Sequence, residues 1–124
     1  MYDVFGTAGQ GLVLANYLDS LSNDVIVIIA TFDEPRNATP FTYAPASMVA
    51  AIERCGGEDP VSVLNTPPGI INYHGSYILV GIPGIGLGNG LQRYVGNGTI
   101  TGDPNAWIDL RISVKDGEYT YISG

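Results

Sequence analysis

An uninterrupted apolar run at residues 25–30 limits most strongly what this chain can fold into. Its sequence is Val-Ile-Val-Ile-Ile-Ala, without a charge, a glycine or a proline. β-Branched side chains favour an extended backbone, and a short continuous apolar run is typical of a strand that is covered on both faces. The sequence therefore predicts a central β-strand at residues 25–30, buried from both sides, with Asp33 on the loop that follows it.

Two helices are predicted on either side of this strand. Apolar residues recur at helical spacing from Leu12 onward, which predicts a first helix that begins at Thr7 or Ala8 and ends at Leu21. A second helix is predicted over residues 48–55, because the glycine pair at 56 and 57 is a typical helix stop. A strand with helices before and after it indicates a layered domain of mixed α and β structure.

The rest of the chain is rich in loops and strands. Residues 77–80 are predicted as a second buried strand, and residues 81–90, with five glycines, as a loop. Apolar and polar side chains alternate over residues 108–114, Asp116-Gly117 is a hairpin signal, and residues 118–122 fit a returning strand. We therefore predict an α/β (α+β) fold: a compact β-sheet flanked by short helices over residues 1–96, and a C-terminal β-hairpin extension over residues 97–124 that packs on or beside it.

The charge of the chain excludes several partners. Its formal net charge is −7, with only five Lys and Arg residues. So few cations cannot form the basic stripe that nucleic acids require, and an anionic membrane surface would repel the protein. No apolar run reaches membrane-spanning length, so membrane insertion is not expected. The single cysteine, Cys55, cannot form an internal disulfide and is predicted to be a small buried apolar residue.

An enzyme is one alternative that the sequence leaves open. Gly6, Gly9 and Gly11 precede the first predicted helix, and Asp33 follows the strand about where a ribose-binding acid would stand. The glycine spacing differs from the dinucleotide-binding fingerprint, and no Lys or Arg lies near these glycines. Asp33 with His74 could also serve acid–base chemistry or, with other carboxylates, hold a hard cation, although the sequence does not show that these groups converge.

Aromatic residues point to carbohydrate instead. Aromatic rings pack on the apolar face of a sugar, while carboxylates and amides bind its hydroxyl groups. The chain has eight Tyr and one Trp in an acidic background. The candidate rings are Phe41, Tyr43, Tyr73, Tyr77, Tyr94 and Trp107. About half of these rings are expected to pack in the core instead of contacting a ligand.

The order of these segments resembles a known domain family. Residues 14–21 followed by residues 25–35 are similar to the first helix, buried strand and Asp-containing turn of the interleukin-like EMT-inducer (ILEI/PANDER) domain. The helix at residues 48–55 with its glycine stop is similar to the second helix of that family. Residues 76–84 resemble its aromatic-x-Phe-Val-Gly-x-x-Gly strand and turn. The resemblance covers residues 3–95, and the absence of paired cysteines makes the chain more similar to the phage tail-fibre and virion branch of the family.

The resemblance implies a module without catalytic machinery or cofactor. We expect a binding module on a virion, in a tail fibre or tail tip, or on another extracellular surface, that recognises a host-surface carbohydrate or receptor. Its candidate ligand-binding residues are Asp33, Glu34, Asn37, Tyr43, His74, Tyr77 and Asn89. A structural module that joins other virion or fibre subunits is a second hypothesis, with the hairpin forming homo-oligomers that are trimeric in a fibre. The nucleotide- or metal-binding enzyme domain is a third.

Overall fold

The protein has a mixed α+β architecture. The structure, a computed structural model, describes residues 2, 7, 9–30, 46–58, 76–95 and 108–123. The elements in chain order are α1 (Gln10–Ser20), β1 (Val27–Ala30), α2 (Ala46–Arg54), β2 (Ser76–Gly81), β3 (Leu91–Val95), β4 (Leu110–Lys115) and β5 (Glu118–Ser123). The prediction of a sheet accompanied by short helices is therefore confirmed. Neither of the two described helices is long and apolar enough to span a bilayer.

The first three strands form an antiparallel sheet in which β2 is central. The strand order is β1-β2-β3, and Ile28 lies opposite Val80, which in turn lies opposite Leu91. The predicted strand is confirmed over Val27–Ala30, and among the described strands it pairs with β2 alone. Its predicted central position therefore stays a prediction. The predicted double coverage is wrong, because Ile28 is 62% exposed. Apolar composition determines that the run is extended, whereas chain topology determines how many neighbours it receives.

The core lies between one face of this sheet and the two helices. Residues directly opposite each other on neighbouring strands point to the same side of the sheet. Val27, Leu79 and Tyr77 share the helix-facing side and belong to one buried cluster with α1 and α2. The buried members of this cluster are Ala15, Leu18, Val27, Met48, Val49, Ala51, Ile52, Cys55, Tyr77 and Leu79. The predicted buried strand at residues 77–80 is confirmed, with Ile78 only partly covered.

Helix α1 starts later than its apolar pattern predicts. Gly9 stands before its first residue in the left-handed conformation, with a φ of 85°. Gly11, Ala15 and Leu18 are buried at intervals of four and three residues, which places one face of the helix against the core. At its other end, the Arg54 guanidinium of α2 donates hydrogen bonds to the carbonyl oxygens of Leu18 and Leu21, both at 3.0 Å. A cation at the end of α1 suits the negative pole of the helix dipole.

Helix α2 ends in a Schellman motif, so the predicted glycine stop is confirmed. Gly56 has a φ of 99°, and its N–H donates to the Glu53 carbonyl at 2.9 Å. The Gly57 N–H reaches back to the Ile52 carbonyl, also at 2.9 Å. These two bonds satisfy carbonyls that the helix itself leaves without partners. The left-handed residue between helix and loop favours glycine because it has no Cβ.

The last two strands form a separate antiparallel pair. Lys115 lies opposite Glu118, which leaves Asp116 and Gly117 as a two-residue turn. Their φ angles are 54° and 80°. Two positive φ values are typical of the type I′ turn, whose twist matches that of the strands it joins. The predicted boundary between residues 96 and 97 lies outside the described residues.

Candidate functional site at the glycine-rich loop

The loop at residues 82–90, between β2 and β3, is attached to the end of α2. Three of its backbone N–H groups donate to carbonyls there: Gly84 to Arg54 (2.8 Å), Gly88 to Gly57 (3.1 Å) and Gly90 to Gly56 (2.9 Å). Two further backbone bonds, Ile85 to Ile82 and Asn89 to Gly86, lie within the loop itself. Backbone hydrogen bonds and the buried ring of Pro83 therefore hold the loop in place, while Leu87 and Asn89 stay exposed.

Glycine is needed at positions 56 and 90 because the backbone of the loop almost touches the backbone that follows α2. A Cβ on Gly90 would lie 2.8 Å from the Gly56 carbonyl oxygen and 2.8 Å from Cδ1 of Leu79. A Cβ on Gly56 would lie 2.5 Å from the Gly90 nitrogen. Only glycine permits such an approach. The predicted loop is confirmed over residues 82–90, whereas Gly81 is the last residue of β2. Close packing requires glycine at position 90, and positive φ angles favour it at positions 84, 86 and 88.

The side chain of Gln92 joins β3 to the segment that follows α2. Its Oε1 accepts hydrogen bonds from the Glu58 N–H at 3.1 Å and from the Tyr77 hydroxyl at 2.8 Å. Its Nε2 donates to the Glu58 carbonyl at 3.1 Å. The carboxamide thus pairs with both backbone groups of Glu58, as a neighbouring strand would. Sequence reasoning missed Gln92, since a polar residue in a short strand of mixed composition carries no signal of a contact 34 positions away.

Three side chains on the loop and on the segment after α2 define what we call the loop surface: Glu58, Leu87 and Asn89. Leu87 is 63% exposed, and the other two are also exposed. The Asn89 Nδ2 donates to the Ile85 carbonyl at 3.0 Å, which orients its carboxamide. The carbons of the Glu58 side chain come within 3.8–3.9 Å of where a Cβ on Gly88 would stand, so the carboxylate is adjacent to the loop. One acid, one amide and one aliphatic group therefore share this surface.

The structure describes two of the seven candidate ligand-binding residues. Asn89 is on the loop surface. Tyr77 is only 1% exposed, so the prediction that its ring contacts a ligand is corrected: the ring packs in the core and its hydroxyl bonds Gln92. The other five lie outside the described residues: Asp33, Glu34, Asn37, Tyr43 and His74. Of the further aromatic candidates, Tyr94 is partly exposed on β3 opposite Tyr77, while Phe41, Tyr73 and Trp107 also lie outside the described residues.

Burial favours the protonated form of two side chains near the loop, the Tyr77 hydroxyl and the Cys55 thiol. It raises the pKa of the Tyr77 hydroxyl far above its ordinary value, and the neighbouring Cys55 acts in the same direction. Burial likewise raises the pKa of the Cys55 thiol; the positive charge of Arg54 opposes this shift, and Asp19 adds to it. A thiol with a raised pKa is a poor nucleophile at neutral pH. Cys55 is therefore a packing residue, as predicted.

The features that favoured an enzyme are not brought together in the described part of the chain. Gly9 is exposed before α1, but β1 has an antiparallel neighbour, whereas a dinucleotide-binding unit requires parallel strands. Gly6 and Asp33 lie outside the described residues. Among the residues that are described, no three His, Cys, Asp or Glu side chains stand close enough together to hold a metal ion.

No family model matches this chain, and no curated protein is significantly similar to it. The resemblance to the ILEI/PANDER domain therefore stays a prediction.

Proposed function

We propose that the chain is a non-catalytic binding module that contacts a host-surface carbohydrate through the loop surface. Its setting would be a phage virion, in a tail fibre or tail tip, or another extracellular surface, as the resemblance to the ILEI/PANDER domain implies. One observation carries the proposal. The loop backbone is hydrogen-bonded to the end of α2 at three points, while Leu87 and Asn89 remain exposed.

Preorganisation is the physical reason that this arrangement suits binding. A binding loop that is already ordered loses less conformational entropy when its ligand arrives. Sites supported by a second layer of hydrogen bonds hold their contact groups more accurately than unsupported loops. Here the second layer consists of the three backbone bonds and of Gln92, which fixes the backbone of Glu58.

The three side chains match the surface of a neutral sugar. Leu87 offers an aliphatic contact for the apolar face of a pyranose, while the Glu58 carboxylate and the Asn89 carboxamide supply acceptors and a donor for hydroxyl groups. Glu58 is the single charged side chain on the loop surface, and the whole chain carries a net charge of −7. Neutral glycans are therefore expected to bind better than sialylated or phosphorylated ones, which the protein would repel.

A glycan array with matched variants tests this proposal. Wild-type protein should bind a set of neutral glycans, and Leu87→Ser and Asn89→Ala should each weaken that binding at least about fivefold, because a central contact contributes more than about 1 kcal/mol. Leu12→Ser is the control, since Leu12 is a half-exposed leucine on α1 that does not belong to the loop surface. An array without binding, from protein whose circular dichroism is native, would contradict the proposal. Equal losses from Leu87→Ser and Leu12→Ser would contradict the site.

A structural role in a fibre is the second candidate, and the C-terminal strands favour it. β4 and β5 pair with each other, and no further strand joins them among the described residues. A two-stranded ribbon is marginally stable by itself and gains stability from additional neighbours. Trimerisation of this hairpin would supply them in a fibre. Light scattering at several concentrations tests this candidate: a trimer supports it and a strict monomer contradicts it.

A further inference from the structure

The outer edge of β1 is open in the described part of the chain. β1 pairs with β2 along one side, and no described residue pairs with the other. Ile28 is 62% exposed, and Ala30 is exposed as well. An open edge offers a row of backbone donors and acceptors to any extended segment that can approach it. We infer that this edge pairs with β1 of a second copy of the chain, in a symmetric antiparallel dimer.

The residues of β1 themselves carry none of the usual protection against such pairing. Proteins shield open edges with lysines, prolines, bulges or inward-pointing charges. Residues 25–30 contain no charged residue and no proline. The backbone of Val27–Ala30 pairs residue for residue with β2, from Val27 opposite Gly81 to Ala30 opposite Ile78, without a bulge. Among the described residues, only the shortness of the strand limits access to this edge.

The side chains of β1 suit antiparallel pairing with β1 of a second copy. In an antiparallel pair, residues that lie opposite each other point to the same side of the sheet. If a two-fold axis normal to the sheet relates the two strands, it must therefore pass between one residue and the same residue of the second copy. An axis at Ile28 places Ile28 against Ile28 of the second copy, and Val27 against Ile29 in both directions. Every pair within the strand then joins two β-branched side chains, which are favourable cross-strand neighbours. An axis at Ile29 would instead set each Ile28 against an alanine.

Charge determines how this dimer should respond to salt. Each copy carries a net charge of −7, so two copies repel each other at low ionic strength. Residues 25–30 themselves carry no charge, so salt screens the general repulsion without weakening a specific ion pair there. The dimer should therefore tighten as salt increases. This surface does not include the loop surface, so the inference stands or falls independently of carbohydrate binding.

Equilibrium sedimentation of the full chain is the first test. We expect a monomer–dimer equilibrium whose dissociation constant falls as NaCl increases. Ile28→Lys should raise that constant at least about tenfold, because two lysines would meet at the axis and the isoleucine pair would be lost. Leu12→Lys, the same kind of change at a half-exposed leucine of α1, should leave it unchanged. A monomer up to the highest soluble concentration, or equal effects of the two variants, would overturn the inference; a monomer would leave the edge open to a strand from another protein.

Cysteine cross-linking tests the register itself. Opposite Cα atoms of an antiparallel pair lie about 4.5–5.5 Å apart, within the range that a disulfide spans. Ile28→Cys should therefore form a covalent dimer on mild oxidation. Ala30→Cys is the matched control: the two introduced residues would stand four positions apart along the strand, about 13 Å, and should not cross-link. The buried Cys55 does not compete. Efficient cross-linking of Ala30→Cys, or failure of Ile28→Cys in dimeric protein, would overturn this register.

Discussion

Gly81 lies so close to Cys55 that a Cβ at position 81 would stand 1.7 Å from the Cys55 carbonyl oxygen. This contact brings the last residue of β2 against the residue that follows α2. Because the obstructing atom belongs to the backbone, a rotamer change cannot relieve the clash. The same helix end also receives the loop at residues 82–90. The packing of β2 against α2 therefore positions the loop surface.

Gly81→Ala should consequently be among the most destabilising single-methyl changes in the described chain. Overpacking in a rigid site costs up to about 3 kcal/mol, so we expect the free energy of unfolding to fall by about that amount. Urea denaturation measures this change in the free energy of unfolding. Gly9→Ala is the control, because a Cβ at position 9 would meet no neighbouring atom. The left-handed φ of 85° at this position should cost the alanine about 1 kcal/mol. Equal losses in the two variants would show that β2 and α2 can separate without cost.

Arg54 should contribute more to stability than an ordinary surface arginine. Its guanidinium satisfies the carbonyls of Leu18 and Leu21, which lie at the end of α1. Hydrogen bonds from a charged donor contribute about 1.5–3 kcal/mol, so Arg54→Met should lower the free energy of unfolding by about 2 kcal/mol. The matched control is Arg93→Met, since Arg93 is exposed and donates only to the carbonyl of the preceding residue. Thermal denaturation of both variants gives the comparison, and similar melting temperatures would contradict the role of Arg54.

Tyr77 should make the fold sensitive to alkaline pH. Because burial raises the pKa of its hydroxyl in the folded state, the unfolded chain loses this proton first, from about pH 10. The folded state then binds more protons than the unfolded state, so stability is fully present below that pH and falls as the pH rises further. Tyr77→Phe removes this contribution, and its stability should fall less steeply above pH 10.

The same substitution has a separate cost at neutral pH. It removes the hydrogen bond to Gln92, which contributes about 1 kcal/mol. Urea denaturation from pH 7 to pH 11 resolves both effects. Tyr94→Phe, at the partly exposed position opposite Tyr77, is the matched control and should follow the wild-type profile. Parallel profiles for wild type and Tyr77→Phe would contradict the burial of the hydroxyl.

Cys55 should be inert until the domain unfolds. It has no exposed surface, and burial raises the pKa of its thiol. Thiol reagents require an accessible thiolate, so the native protein should react with an aromatic disulfide reagent at pH 8 far more slowly than the protein in concentrated urea. The reaction is followed by absorbance, and its rate should rise with the unfolded fraction across the urea transition. Rapid labelling without urea would show that the core opens locally at the end of α2.

The amino-acid sequence alone determined those features that depend on neighbouring residues. The helix stop at Gly56 follows from the intrinsic freedom of glycine, and the extended backbone of Val27–Ala30 follows from its β-branched side chains. The loop at residues 82–90 follows from the spacing of its glycines. Asn89 lies in this loop and is exposed, while its role as a ligand-binding residue stays a prediction. The helix stop, the extended run and the loop each need only the conformational preferences of adjacent residues.

Tertiary structure decided everything that joins distant positions. Whether residues 25–30 form a central or an edge strand depends on which segments pair with them, and no local pattern encodes the number of neighbours. Tyr77 was expected at a ligand and lies in the core, because a tyrosine suits either place until its surroundings are known. Gln92 meets Glu58 across 34 positions. Such contacts arise from the packing of whole elements, so their partners become apparent only when the elements are assembled.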